Sequence, residues 1–273
     1  MHGECREQRG MTATLKPLAQ QVIVLTGACG AIGVCTAQLA AQRGAKLVLV
    51  ARSVRVLDTL AGIIRSGGGE AICLAADVAA RDEVIAAARA AVARFGRIDT
   101  WINNAGVAIY GRLDQVTEAD SRHLFDVNFW GAVNGSLAAL PYLLGTGGAL
   151  INVGSELAGH ARSLQGMYSS SKHALKVFTD ALRTEVVEVD GASVAIVLIE
   201  ASALGGTGAQ DAVDRPDAGS PLPAPALDPM RVAEAILRAA APREDDIQPG
   251  QPDLVPVRLD CATVCPDANA GAK

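Results

Sequence analysis

Tyr168 and Lys172 stand four residues apart in the stretch GMYSSSKHAL, with Ser169, Ser170 and Ser171 between them. On a helix the two lie about 40° apart around the axis, one turn from each other, so a phenol and an ammonium share a face. A free tyrosine has a pKa near ~10 and is a poor proton shuttle at neutrality. A neighbouring cation favours the phenolate. A shift of roughly 3 units needs about 4 kcal/mol, which a cation a few ångströms away in a partly dry site supplies. Such a pair can give a proton to an oxygen that gains negative charge and take it back in the reverse direction. Alone, the pair fits an exposed, solvated helix face better, so the surrounding elements decide.

Short apolar runs alternate with longer Ala-rich segments. QVIVLT (21–26), KLVLVA (46–51), EAICLA (70–75), IDTWIN (98–103), ALINVG (149–154) and SVAIVLI (193–199) read as strands. Most are apolar at consecutive positions, as strands buried on both faces must be. Helix-length segments at 31–43, 54–66, 79–95, 117–140 and 168–188 separate them. This alternation implies right-handed crossovers and a single α/β domain with a doubly wound parallel sheet. The domain is expected over 18–248, with a disordered tail at 1–17, a mobile loop at about 204–229 and an irregular tail at 249–273. DPMRVAEAILRAA (228–240) reads as a helix with Asp228 as N-cap and Pro229 at its first position. One further short strand is expected near Ile247.

The first strand runs into TGACGAIG, from Thr26 to Gly33, and then into a helix. Gly27, Gly30 and Gly33 let the backbone turn tightly and approach a diphosphate, and the helix N-terminus offers free N–H groups. The second strand ends in Ala51 and Arg52, where a fold that prefers NAD commonly places an acid. An arginine there pairs with a 2′-phosphate, so NADP(H) is expected over NAD(H).

These motifs together resemble the short-chain dehydrogenase/reductase family, over about Leu15 to Ala240. TGACGAIG resembles the TGxxxGxG turn, with Ala31 in place of the second motif glycine. The resemblance implies a Rossmann-like fold and hydride transfer between a nicotinamide and an alcohol or carbonyl carbon. It implies a cofactor site at Thr26, Gly27, Cys29, Ala31, Ile32, Gly33, Arg52, Asp77, Val78, Asn104, Ala105 and Gly106, with Tyr168 and Lys172. Asp77 would hold the adenine, and NNAG (103–106) would close the fourth strand beside the cofactor. Tyr168 and Lys172 fill YxxxK, Ser155 the serine position and Asn128 the helix asparagine. Tyr168 would be the general acid or base, Lys172 would lower its pKa, and Ser155 would hold the substrate oxygen. Asn128 would anchor a water that joins Lys172 to solvent. The intervening serines read as small spacers, and His173 as structural.

Tyr110, Leu164, Gln165 and Met167 are expected to line the substrate side, with Glu156 a solvated loop residue. One segment departs from the family: LIEASALGGTG (198–208) lacks the usual Pro-Gly pair, and Thr207 falls one residue late. That departure keeps open a nucleotide-binding regulator or scaffold with weak or no catalysis.

The net charge of −5 argues against nonspecific nucleic-acid binding. No apolar stretch is long enough to span a bilayer, and the N-terminus has no secretory h-region. Six scattered cysteines suit free thiols in a cytoplasmic protein. Cys261 and Cys265 have no companion ligands nearby, so no metal site is expected. A small-molecule alcohol or carbonyl partner is expected, as is a homodimer or homotetramer built on the helices at 79–95 and 117–140.

Overall fold

The structure, a computed structural model, describes residues 14–159, 162–201, 213–214 and 228–242. Its main sheet contains β1 (Val22–Thr26), β2 (Lys46–Ala51), β3 (Glu70–Ala75), β4 (Thr100–Asn103), β6 (Ala149–Ser155) and β7 (Ala195–Ala201). Their spatial order is β3-β2-β1-β4-β6-β7, and every neighbouring pair is parallel. Two-residue strands β5 (Ile109–Tyr110) and β8 (Val213–Asp214) form a separate parallel pair. The chain moves outward from β1 to β3, then returns to place β4 on the other side of β1. This reversal opens a crevice at the carboxyl ends of β1 and β4, where doubly wound sheets bind ligands.

The helices are α1 (Ala31–Gln42), α2 (Val54–Ser66), α3 (Arg81–Phe95), α4 (Glu118–Phe125), α5 (Gly131–Thr146), α6 (Gly166–Arg183) and α7 (Pro229–Ala239). Two cores result. Ile23, Leu25, Ile102 and Ile151 pack with α1, α2 and α7 on one face. Val22, Val24, Trp101 and Leu150 pack with α3, α5 and α6 on the other. Alternate residues of one strand thus enter different cores, which explains the unbroken apolar runs.

The helix expected over 117–140 is not continuous. Thr117 caps α4 by accepting from the Asp120 N–H (3.1 Å), and a π turn at Asp126–Trp130 then separates α4 from α5. A second π turn, Thr184–Val189, follows α6. Hydrophobic periodicity marks a helix but does not show where one extra residue widens a turn. The fold also begins before residue 18: Leu15 packs on the core, and the Lys16 ammonium meets the buried Asp99 carboxylate at 2.6 Å. The strand expected near Ile247, the tail at 249–273, Thr207 and most of the loop at 204–229 lie outside the described residues. Asp228 caps α7, its carboxylate accepting from the Met230 N–H at 2.9 Å, with Pro229 in the first turn.

Candidate active site

The glycine turn is held by the segment after β4. Thr26 Oγ1 donates to the Ile102 carbonyl (3.2 Å) and accepts from the Asn104 and Ala105 N–H groups (3.1 and 3.3 Å). The Asn104 side chain donates to the Thr26 and Gly27 carbonyls (3.2 and 3.0 Å). Gly27 has φ +64°, and a Cβ there would sit 2.6 Å from the Ala105 Cα. Only glycine satisfies both demands. A Cβ on Gly33 would lie 2.2 Å from the Gly27 carbonyl oxygen, so α1 also needs a bare backbone there. A Cβ on Gly30 would meet only the Gly27 carbonyl oxygen, at 3.6 Å. The first turn of α1, from Ala31 through Ile32 to Gly33, carries no carboxylate and has no side-chain cap. Its N–H groups are therefore suited to an anion. A dinucleotide diphosphate fits this cradle.

Cys29 reaches the residue that follows Arg52 in the chain. The Cys29 thiol donates to the Ser53 carbonyl at 3.9 Å, which brings the glycine turn beside the end of β2. Arg52 is exposed there. Asp77 and Val78 follow β3. The Asp77 carboxylate accepts from the Ala79 N–H (3.0 Å), and its own N–H donates to Glu83 (2.7 Å). Val78 is buried against Gly131, and the Asn134 side chain donates to its carbonyl at 3.0 Å.

The chemical end lies where β6, α6 and the π turn converge. Ser155 ends β6 and is buried. Its hydroxyl hydrogen-bonds the Tyr168 phenol and also accepts from the Leu157 N–H (3.2 Å). Capping the short turn and meeting the phenol are thus compatible tasks. Lys172 is buried, its ammonium donates to the Val153 carbonyl (3.0 Å), and it lies 5.9 Å from the Tyr168 ring centroid. Gly106 faces both Lys172 and Asn128. Tyr110 is close enough for its phenol to act electrostatically on Tyr168.

Two expectations change. Burial is the strongest influence on Tyr168 and pushes its pKa up, while the Ser155 hydrogen bond pulls it down and Tyr110 pushes it further up. Burial also lowers Lys172 from 10.5 to about 8. Desolvation of both groups outweighs the attraction expected between them. The second change concerns Asn128. Its side chain accepts from the Val107 N–H (2.8 Å) and donates to the Val107 carbonyl (2.9 Å) and Ser171 Oγ (3.1 Å). That side chain is a clamp between the π turn, the loop after NNAG and α6, a task added to the water-anchoring role expected of the residue. Ser171, buried and donating to the Tyr168 carbonyl (2.8 Å), is part of this clamp and is not a spacer.

The expected substrate side is partly assembled. The Gly111 N–H donates to the Leu164 carbonyl at 2.9 Å, which joins the strand carrying Tyr110 to the approach to α6. Leu164 has φ +64°, a left-handed conformation that costs a leucine about 1–2 kcal/mol. Met167 is half-buried in the first turn of α6 and Gln165 is buried, while Glu156 is exposed. His173 holds its structural place: its Nδ1 meets the Ala158 carbonyl at 2.7 Å. Sequence reading gave Asn103 only as part of NNAG and missed Asn152 and Thr179; all three are buried polar residues beneath the site. Their signal was polarity inside otherwise apolar runs. Among the described residues no His, Cys, Asp and Glu side chains group as metal ligands.

A parallel sheet with a glycine turn at its switch point and a Ser–Tyr–Lys cluster at the end of β6 defines a dinucleotide-binding α/β protein. The chain belongs to the short chain dehydrogenase family, whose model matches residues 21–215. It is 43% identical over 187 residues to "Uncharacterized oxidoreductase YxnA" of Bacillus subtilis, a match covering 68% of this chain and 52% of that protein. The chain thus spans about half the length of that curated relative. A metagenomic short-chain oxidoreductase solved in complex with NADP matches with TM-score 0.70 and 26% identity, covering 85% of this chain and 95% of the other. A short chain dehydrogenase/reductase of Burkholderia phymatum, solved in complex with NAD, matches with TM-score 0.68 and 26% identity, covering 83% and 81%.

Proposed function

We propose that the chain is an oxidoreductase that moves a hydride between NADP(H) and an alcohol or carbonyl substrate, with Tyr168 as general acid and base. The observation that carries this reading is the Tyr168 phenol, hydrogen-bonded to Ser155 and close to the buried Lys172. The cradle from Thr26 to Gly33 would hold the diphosphate, Arg52 a 2′-phosphate, and Asp77 and Val78 the adenine end. Asn104, Ala105 and Gly106, with Tyr168 and Lys172, would hold the nicotinamide riboside. When bound, the nicotinamide supplies or accepts the hydride. In reduction Tyr168 Oη gives its proton to the substrate oxygen, which Ser155 Oγ orients and stabilises. In oxidation the same oxygen accepts the proton. The raised Tyr168 pKa keeps the acid form dominant at neutral pH, which suits reduction.

The test is turnover of a panel of ketones and aldehydes with NADPH. Tyr168→Phe is expected to lower kcat by on the order of 10²–10⁴. Equal rates in wild type and variant would support the regulator or scaffold reading. One observation favours that alternative: β7 continues to Ala201, with Glu200 ion-paired to Lys176 at 2.6 Å, where the family usually turns at Pro-Gly. Arg52→Asp is expected to weaken NADPH binding far more than NADH binding, as titration calorimetry reads directly. Equal loss for both would remove Arg52 from the phosphate site.

A homo-oligomer is part of the same proposal. Trp130, Leu137 and Leu144 are exposed apolar residues at seven-residue spacing along the π turn and α5, with Val177 exposed on α6. Helix α3 (Arg81–Phe95), the other expected contributor, shows no large exposed apolar residue. No described helix is long and apolar enough to cross a membrane. Cys29, Cys35 and Cys73 stand outside any disulfide, which suits the reducing cytoplasm, the location we propose.

A further inference from the structure

A chain of buried hydrogen bonds runs below the candidate site, from β4 through β6 into α6. Trp101 Nε1 donates to Asn103 Oδ1 (2.8 Å), and Asn103 Nδ2 donates to Asn152 Oδ1 (2.8 Å). Asn152 Nδ2 donates to Thr179 Oγ1 (2.8 Å), and Thr179 Oγ1 donates to the Leu175 carbonyl (2.7 Å). A branch reaches α5, where Asn103 Nδ2 also meets Ser136 Oγ (3.1 Å) and the Ala132 carbonyl (3.2 Å). Every side chain in it is at most 4% exposed. All donors point the same way along the chain, so the bonds polarise one another in a medium of low dielectric. Leaving any one partner unsatisfied costs more than an isolated bond contributes.

The anchoring points coincide with the segments that carry the site. Strand β4 leads directly into Asn104–Gly106, and β6 ends three residues beyond Asn152 at Ser155. Thr179 lies seven residues past Lys172, two turns along the same face of α6. Helix α5 begins where the π turn bearing Asn128 ends. The close approach is enforced at Gly135, where a Cβ would fall 2.0 Å from Asn103 Oδ1 and 2.7 Å from Trp101 Nε1. An apolar contact between β6 and α6 would let the helix slide or rotate by fractions of an ångström. A directional bond from Asn152 to Thr179 does not.

We propose that Asn152 and Thr179 are positioning residues whose hydrogen bond sets the register of α6 against β6, and so the placement of Tyr168 against Ser155. This inference rests on the oxidoreductase reading for its kinetic consequence, but its geometric core is independent of it. Misplacement of a reacting group by about 1 Å can cost on the order of 10²-fold in rate. A slackened register costs less than a full displacement.

Thr179→Val keeps the shape and removes the hydroxyl, and Thr179→Ser restores it. Two readouts are taken on each variant. Steady-state reduction with NADPH is expected to show kcat lowered about tenfold in T179V with KM for NADPH unchanged, and wild-type kcat in T179S. Ultraviolet difference titration gives the Tyr168 ionisation midpoint, isolated from Tyr110 and Tyr142 by subtracting the Tyr168→Phe signal. The midpoint is expected to move in T179V and to return in T179S. If T179V melts earlier but keeps wild-type kcat and the wild-type Tyr168 midpoint, the bond is merely structural and the proposal fails. If T179V does not fold, Thr179→Cys, of similar volume and poorer as an acceptor, is judged by the same two readouts. If wild type reduces no carbonyl in the panel, the oxidoreductase reading falls, and the tyrosine titration alone then decides the positioning role.

Discussion

Lys172 illustrates how burial sets chemistry at a single residue. Its pKa falls from 10.5 to about 8, so between those values the unfolded chain holds a proton that the folded chain has released. Stability therefore rises with pH through this window. Below about pH 8 the fold carries a desolvated ammonium, at a cost on the order of 3 kcal/mol. Lys172→Met is expected to raise the melting temperature at neutral pH, partly offset by the Val153 carbonyl it leaves unpaired. The gain should shrink as pH climbs from 8 towards 10.5. Calorimetry across that range checks it, and a gain that stays constant with pH contradicts the assignment. The Tyr168 and Lys172 pair was legible as a shared helix face from its spacing, and its chemical role, with that of Ser155, came only through the resemblance of the surrounding motifs to a family. Asn128 was only half readable. Its partners, the Val107 backbone and Ser171, lie 21 and 43 residues away, and nothing local announces them. The pKa directions were unreadable for a related reason: spacing gives proximity but not the depth of burial.

At the level of elements, the glycine turn separates two uses of the same residue type. Gly27 combines a positive φ with backbone contact at 2.6 Å, whereas a Cβ on Gly30 meets nothing closer than 3.6 Å. Gly27→Ala is expected to displace the Asn104–Ala105 strap and to lower NADPH affinity by at least tenfold. Gly30→Ala should leave melting temperature near that of wild type. Parallel thermal melts and cofactor titrations distinguish the two, and equal tolerance at both positions would contradict the strap geometry. Most strands and helices were legible here from apolar runs and 3.6-residue periodicity. The short pairing of β5 with β8 was not, because two residues carry no period and the partner lies far along the chain. Nor were the π turns, which keep the composition of a helix while changing its hydrogen-bond step.

Across the whole molecule, the carboxyl ends of the strands carry the proposed site segments along one edge of the sheet, on both sides of the switch point between β1 and β4. The opposite edge is closed by ion pairing: Asp99, buried, receives Lys16 at 2.6 Å and Arg97 at 2.8 Å. Stability and chemistry thus occupy different ends of the same strands. The exposed row of Trp130, Leu137 and Leu144 starts at the π turn and follows α5 along the outside of the sheet. Leu137→Asp is expected to lower the mass seen by sedimentation while leaving the circular dichroism spectrum unchanged. A wild type that already sediments as a monomer would exclude assembly through this face. Doubly wound topology followed from strand–helix alternation alone, since parallel strands need crossovers of fixed hand. The self-association surface was legible only as a general expectation, because exposure of a leucine depends on which face its helix turns inward.

The π turn at Asp126–Trp130 has a consequence for insertions and deletions. A wide turn holds one residue more than the α-helical path needs, so shortening it by one would let α4 run into α5 as a continuous α-helix. Each residue of an α-helix advances the face by about 100°. The shortened chain would therefore swing α4, with its buried Leu124, away from the side it now covers, or unseat Asn128 from the Val107 backbone. A lineage that lost this single residue could not recover the present arrangement by substitution. It would have to regain the length.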